Sequence, residues 1–232
     1  MNFLRKLQLY IRWTLLTLFG LSIFLVILYR YVPVYVTPLM VKRCAQQVWH
    51  GEQIRLKHHW VPLDTMSKYM PVAVIASEDE KYLNHHGFDF DAIKMAYEDG
   101  KKGKRQRGGS TISQQTAKNV FTWCSSTYLR KGIETYFTCL IELCWSKHRI
   151  MEVYLNSIEM GDGIYGAEAV AQQHFGCPAS DLSRPNCALV AATLPNPLLF
   201  DSSAPSNYML RRQTAIMRKM RAVDLFPKED EE

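Results

Sequence analysis

The chain has 232 residues, 47% of them hydrophobic and 22% charged, which suffices for one medium domain with a buried core and excludes general disorder. Its formal charge of +6 invites a nucleic-acid reading, but Arg5, Lys6, Arg12, Arg30, Lys42 and Arg43 account for the whole excess, and no acid precedes Glu52. From residue 44 onward the other 22 basic residues face all 22 acidic ones, so the positive charge concerns a membrane and no nucleic acid is expected as a partner.

The first element is a membrane helix. From Trp13 to Tyr29 no residue is charged, a run of 17 at the lower limit of a bilayer span. Arg12 and Arg30 extend it by snorkelling, and Tyr10, Trp13, Tyr29 and Tyr31 suit the two interfaces. No small-x-small cleavage pattern follows, so an uncleaved anchor is expected and not a signal peptide. Three bases precede the run within twelve residues, which places the N-terminus in the cytoplasm and the rest of the chain outside it. The expected division is a cytoplasmic tail over 1–10, an anchor over 11–31, a connector of little periodicity over 32–61, a globular domain over 62–223 and an acidic tail over 224–232.

The globular part reads as helices. One opens at Pro71 and runs to near Gly87, a second covers Asp89 to Glu98, and residues 100–109 form a basic, glycine-punctuated loop. Ser110 or Thr111 caps the next helix, through Asn119, with Thr111 and Gln114 at capping-box spacing. A long helix from about Tyr128 to Trp145 repeats Leu129, Ile133, Phe137, Leu140 and Ile141 at three- and four-residue intervals. Others are predicted near 147–156, 166–175, 185–194 and 207–223, with Gly176 as a C-cap. No run of strand-like alternation occurs, so the expected fold class is all-α or nearly so. Neither the six cysteines nor His58-His59 and His85-His86 show metal-ligand spacing; Cys177 with Cys187 is a conceivable disulfide.

Three places carry candidate chemistry. Glu78-Asp79-Glu80 ends an apolar helix: either a solvated terminus, or a carboxylate whose charged form is disfavoured by the helix dipole and apolar neighbours, which suits a base. Gly108 to Asn119 leads two glycines into a helix start crowded with hydroxyls, amides and Lys118: either a polar capped surface helix or an anion site. Arg130, Lys131 and Glu134 share one side of the long helix, as a surface ion pair or as a carboxylate beside two cations that serve an anionic leaving group.

Glu78-Asp79-x-x-Tyr82-x-x-His85-x-Gly87, the Gly-Gly-Ser-Thr-Ile-Ser-Gln-Gln run with Lys118-Asn119, Arg130-Lys131-x-x-Glu134, Lys147-x-x-Ile150-x-Glu152-x-Tyr154-Leu155-Asn156 and Gly163-Ile164-Tyr165-Gly166 follow in that order. Together they resemble the peptidoglycan glycosyltransferases, the polymerase domains of class A penicillin-binding proteins, over about residues 62–222. Tyr82 stands where Phe is usual, and Thr116 where Leu commonly follows the two glutamines. With neither S-x-x-K nor K-T-G in the chain, it is similar to the monofunctional Gram-negative members, which lack transpeptidase activity.

The resemblance implies a lysozyme-like helical lobe beside a smaller membrane-proximal lobe, anchored in the inner membrane with the catalytic domain in the periplasm. It implies lipid II and a lipid-linked glycan strand as substrates, β-1,4 polymerisation with inversion, release of undecaprenyl diphosphate, and inhibition by moenomycin. It implies no obligatory cofactor, stimulation by a divalent cation (Mg or Mn), and wall-synthesis or division proteins as partners. Carried over residue by residue, Glu78 and Glu134 are catalytic, with Glu78 the better base. Ser110, Thr111, Gln114, Gln115, Lys118, Asn119, Arg130 and Lys131 bind substrate, and substitutions at Asp79 and Glu80 are expected to be milder. Two alternatives compete: a lytic transglycosylase or muramidase, which leaves the cations unexplained, and a non-catalytic, membrane-tethered wall-binding protein, in which both glutamates are dispensable.

Overall fold

A computed structural model describes residues 3–101, 109–123 and 127–227. Most of the basic loop at 100–109, Cys124 and the end of the acidic tail lie outside the described residues. The chain divides into two units, Met1–Pro33 and Val34–Glu232. The first holds helix α1 (Phe3–Tyr31). Its candidate membrane span, Arg5–Tyr31, has 27 residues, and its most apolar 18-residue window has a mean hydropathy of 2.1. At 1.5 Å per residue that is about 40 Å, more than the roughly 30 Å hydrocarbon core of a bilayer.

The second unit opens with a helix inside the stretch expected to be a connector. Helix α2 (Pro38–Trp49) begins on Thr37, whose hydroxyl accepts from the Met40 N–H at 3.3 Å, with Pro38 in the first turn. Threonine followed by proline is a helix-start signal, whereas the connector expectation rests on Pro33, Pro38 and Pro62 and on little sustained periodicity. Helix α3 (Tyr69–Glu78) is apolar on every face, with Met70 through Ala76 buried. It stops at Glu78 and does not reach Gly87, because Asp79 turns to φ −158°, ψ 77° and sends its carboxylate to two partners off the helix. A single 3₁₀ turn, Tyr82–Asn84, follows.

The remaining helices lie close to their predicted places: α4 (Phe90–Lys101), α5 (Ile112–Phe121), α6 (Tyr128–Cys144), α7 (Lys147–Ser157), α8 (Ala167–Val170, continuing as a π turn over Ala171–Phe175), α9 (Arg184–Thr193) and α10 (Asn207–Lys219). Gly176 ends the π turn in the left-handed region at φ 65°, as expected of a C-cap. Three short strands, β1 (Lys57–His58), β2 (Glu159–Gly161) and β3 (Ile164–Tyr165), form a sheet of order β1-β3-β2, parallel between β1 and β3 and antiparallel between β2 and β3. Strands of two or three residues are too short to show alternation in a sequence. Among the described residues the fold is therefore mostly helical, as the periodicity predicts.

Packing follows the apolar faces. Helix α3 lies against α9, α10 crosses both, and α5 is held between α6 and α7. Ile112, Ala117, Ile150, Val153 and Tyr154 fill the space at α5 and α7. Asn156, fully buried, fastens the strand segment to α7: its Nδ2 donates to Val61 O at 2.9 Å and its Oδ1 accepts from Val61 N–H at 3.0 Å. Gly166 has φ 84°, and a Cβ there would come within 2.8 Å of Asn156 O, so both the turn and the close approach require glycine. The five described cysteines are free thiols, Cys177 and Cys187 included, and burial pushes the Cys187 thiol up to about 12.

Candidate active site

Glu78 is the last residue of α3 and half-buried. Each of its carboxylate oxygens has fixed company. Oε1 accepts from the Ser77 hydroxyl at 3.0 Å and lies 3.6 Å from the Arg212 guanidinium of α10. Oε2 accepts from Gln115 Nε2 at 3.3 Å, and Gln115 Oε1 in turn accepts from the Tyr154 hydroxyl at 3.1 Å. Burial, with the charges of Glu78 and Asp79, pushes the Tyr154 hydroxyl well above its ordinary range, so it remains a proton donor. Besides the helix end and the apolar neighbours expected around Glu78, a cation from a distant helix, Arg212, stands beside it.

Asp79 has a different task from its neighbour. It is 6% exposed, its carboxylate sits 3.0 Å from His85 Nε2 through both oxygens, and Oδ2 accepts the Ile112 N–H at 3.0 Å. Thr111 caps α5, accepting from Gln114 N–H at 3.1 Å while Gln114 Oε1 accepts from Thr111 N–H at 3.0 Å, the reciprocal pair that the spacing predicts. The Thr111 hydroxyl also donates to Gly87 O at 2.7 Å. Two of the first-turn donors of α5, the N–H groups of Ile112 and Gln114, are thus taken by the chain's own Asp79 and by the cap, which leaves this helix start less open to an anion than its sequence suggests. Thr111 and Gln114, expected to touch substrate, are buried at 2% and 4% exposure and turned inward to the cap; Ser110 is exposed. Asp79, expected to be a mild position, joins the end of α3 to the start of α5.

Glu134 is buried in α6, and both of its oxygens are paired, Oε2 with Arg130 and Oε1 with Lys131. The grouping expected from their spacing is therefore formed, with the carboxylate inside and Lys131 half-exposed. Gly87 explains the close passage of α6: at φ 87°, a Cβ there would come within 2.9 Å of Thr138 and 3.0 Å of Glu142. Tyr82, the departure from the usual Phe, is fully buried and donates to Lys147 O at 2.8 Å, so its extra hydroxyl is satisfied.

An open cavity of about 580 Å³ lies between α2, α5 and the segments around Ile158 and Pro195. Gln115, Lys118 and Asn119 of α5 line one side, and Lys42 and Arg43 of α2 line another. Arg43 also pairs with the buried Glu159 at 3.2 Å, and Tyr165 donates to the second oxygen of that carboxylate at 3.2 Å. The one acid in the wall is thereby neutralised, and the cavity keeps a positive lining. Gln115 faces this cavity and holds Glu78 behind it. Lys118 is thus brought together with Lys42 and Arg43, while Arg130 and Lys131 gather around Glu134 on the neighbouring helix.

Glu159, the one carboxylate in the cavity lining, is paired with Arg43, while Glu134 pairs with Arg130 and Lys131 and Glu142 with Lys147 at 2.8 Å. Among the described residues no group of three or more His, Cys, Asp or Glu is placed to hold a metal ion, so these residues do not form the oxygen cage a resident divalent ion takes. Likewise His58 Nε2 faces Asn156 O at 2.9 Å and His85 faces Asp79, so two of the suspected histidines have structural partners.

Sequence reading missed Arg212, Lys42, Arg43 and Glu159 as neighbours of the site. Lys42 and Arg43 carry a signal, two adjacent bases beyond the membrane run, which reads equally as membrane flanking. Arg212 carried none, being one of several bases on an amphipathic helix.

The Transglycosylase family model matches residues 46–221 of the chain. The chain is 56% identical over 224 residues to the biosynthetic peptidoglycan transglycosylase of Bacteroides thetaiotaomicron, covering 97% of this chain and 90% of that one. It is 48% identical over 205 residues to the protein of the same description from Bdellovibrio bacteriovorus, covering 88% and 82%. With the one from Caulobacter vibrioides it shares 51% over 198 residues, covering 85% and 84%.

Proposed function

Because this chain belongs to the transglycosylase family and polymerises glycan strands in cell-wall synthesis, we propose that lipid II is its substrate and that Glu78 is its general base. The donor's anomeric carbon carries an α-linked diphosphate and the product linkage is β, so one inverting displacement suffices. In that step the acceptor 4-hydroxyl oxygen bonds to the anomeric carbon and its proton passes to the Glu78 carboxylate. The bond from carbon to diphosphate oxygen breaks with its electron pair staying on the diphosphate. The leaving group needs charge neutralisation more than a proton, which suits Lys118, Arg130 and Lys131. Glu134 orders the last two and holds their charged ends in place.

The observation that carries this reading is the placement of Glu78: a half-buried carboxylate with both oxygens fixed, behind Gln115 in the wall of a cation-lined cavity. A base must be held within hydrogen-bond reach of the proton it removes, and a rigid acceptor beside an anion-binding space meets that need. The α1 helix supports a single membrane anchor, which keeps the protein where a lipid-linked diphosphate meets the bilayer surface, with the catalytic unit in the periplasm.

The test is polymerisation of fluorescent lipid II on a gel that resolves glycan length. Glu78→Gln is expected to remove activity by a factor of about a hundred to ten thousand, the usual range for general-base catalysis, while lipid II still binds. Glu134→Gln is expected to impair turnover severely but less completely. Polymerisation by a folded Glu78→Gln protein at more than a tenth of the wild-type rate would show that the base is misassigned.

A further inference from the structure

We propose that Arg212 is a positioning residue for the reaction, holding the Oε1 side of the Glu78 carboxylate in its working orientation; this rests on Glu78 being the base. Arg212 belongs to α10, and its Nη2 donates to Ser77 Oγ at 3.2 Å, across 135 positions of sequence. The same nitrogen lies 3.6 Å from Glu78 Oε1. Ser77 Oγ has a single proton, with Glu78 Oε1 at 3.0 Å and Ala191 O at 3.3 Å as its acceptors. Arg212 occupies a lone pair of that hydroxyl, so the proton is directed away from α10 and towards the carboxylate and α9.

The two oxygens of Glu78 are thereby held from opposite sides. Tyr154 and Gln115 govern Oε2 from α7 and α5, and Arg212 with Ser77 governs Oε1 from α10 and α3. A carboxylate on a helix's final residue would otherwise turn freely about its side-chain bonds, and misplacing a reacting group lowers the rate without weakening substrate binding.

A packing role alone does not account for the arginine. Its Nε is buried and has no hydrogen-bond partner, an arrangement that disfavours folding. A methionine or leucine would pack α10 on α3 and α9 without it. What the guanidinium supplies there and an apolar side chain does not is a fixed positive charge and a donor at Ser77 and Glu78.

The experiment compares wild type, Arg212→Met, Arg212→Gln and Arg212→Lys as full-length protein with fluorescent lipid II, measuring kcat, KM and thermal midpoint. For the neutral variants the expected result is a kcat lower by about tenfold to a hundredfold, with KM within about twofold of wild type. Arg212→Lys should recover most of the loss, because at 3.6 Å a point charge serves nearly as well as a fork. Arg212→Gln keeps the test alive if Arg212→Met does not fold. Wild-type kcat in a folded neutral variant would overturn the proposal, and so would a loss that tracks the thermal midpoint and is not rescued by lysine. Glu78→Gln is assayed alongside: if it stays active, the base assignment fails whatever Arg212 does; if it is inactive while neutral Arg212 variants are fully active, only the positioning role fails.

Discussion

Glu78 and Asp79 are chemically near-identical neighbours with opposite surroundings, and residue type alone could not separate their roles. Glu78 is half-buried behind Gln115, whereas Asp79 is buried against His85 and the Ile112 N–H. Removing Asp79 strands both partners, and leaving a buried hydrogen-bonding group unsatisfied typically costs about 1–3 kcal/mol for each group. Asp79→Ala is therefore expected to lower the thermal midpoint markedly, and an unchanged melt would refute the linking role. Lys118, exposed in the cavity wall, and Arg130, beside Glu134, are predicted to act on turnover: replacing either with Met should lower the polymerisation rate by about tenfold to a thousandfold, read from initial rates with lipid II, with little change in melting for Lys118→Met and a lowered midpoint for Arg130→Met, which leaves the buried Glu134 short of a partner. What made Glu78, Glu134, Lys118 and Arg130 legible in the sequence is that each sits in a short local motif. Arg212 and Arg43 act across 135 and 116 positions, and no local spacing announces such a contact.

Elements were legible where apolar periodicity or a cap dominated. The long α6 and the capped α5 lie within a residue or two of their predicted places, because a three-four repeat and a capping box are local properties. The end of α3 was misjudged because it is decided by a tertiary contact: the helix could continue past Glu78 on propensity alone, but the Asp79 carboxylate is drawn to α5. Strand β1 has its own consequence for stability. His58 is held by Asn156 O at 2.9 Å, and burial, the largest influence, lowers its pKa below the ordinary 6.5, only partly offset by that carbonyl. His174 is lowered by burial as well, against the opposing charge of Asp201. For a base with a depressed native pKa the unfolded chain binds the proton more readily, so stability is full above about pH 6.5 and falls as pH drops through the window below it. The thermal midpoint is expected to fall between pH 7.5 and pH 5.5, and by less in His58→Gln than in wild type. Equal pH dependence in the two proteins would remove His58 from the account.

At the scale of the molecule, charge is divided in a way that bears on where the enzyme works. From Val34 onward the catalytic unit carries 24 bases against 22 acids, and Lys42 and Arg43 are the whole excess, so net charge gives it little general attraction to an anionic bilayer. The cations it does carry near the cavity are local, Lys42, Arg43 and Lys118, and are suited to a diphosphate. Holding the unit at a surface where its substrate is a lipid therefore falls to α1, whose apolar span of 27 residues is long enough to cross once. Arg5, Lys6 and Arg12 precede the uncharged run, and only Arg30 follows it closely, with Lys42 and Arg43 more than ten residues further on. Bases within the flanks of a span favour the cytoplasmic side, and from that bias we propose that the N-terminus faces inward and everything after Tyr31 outward. The prediction is that a reporter active only in the periplasm works when fused after Glu232, and that one active only in the cytoplasm is silent there. Replacing Arg5, Lys6 and Arg12 by neutral residues while adding three lysines just after Tyr31 should reverse or mix the orientation, and glycan polymerisation in cells should fall in step with the inverted fraction. Strong cytoplasmic reporter activity from the unaltered chain would overturn the topology.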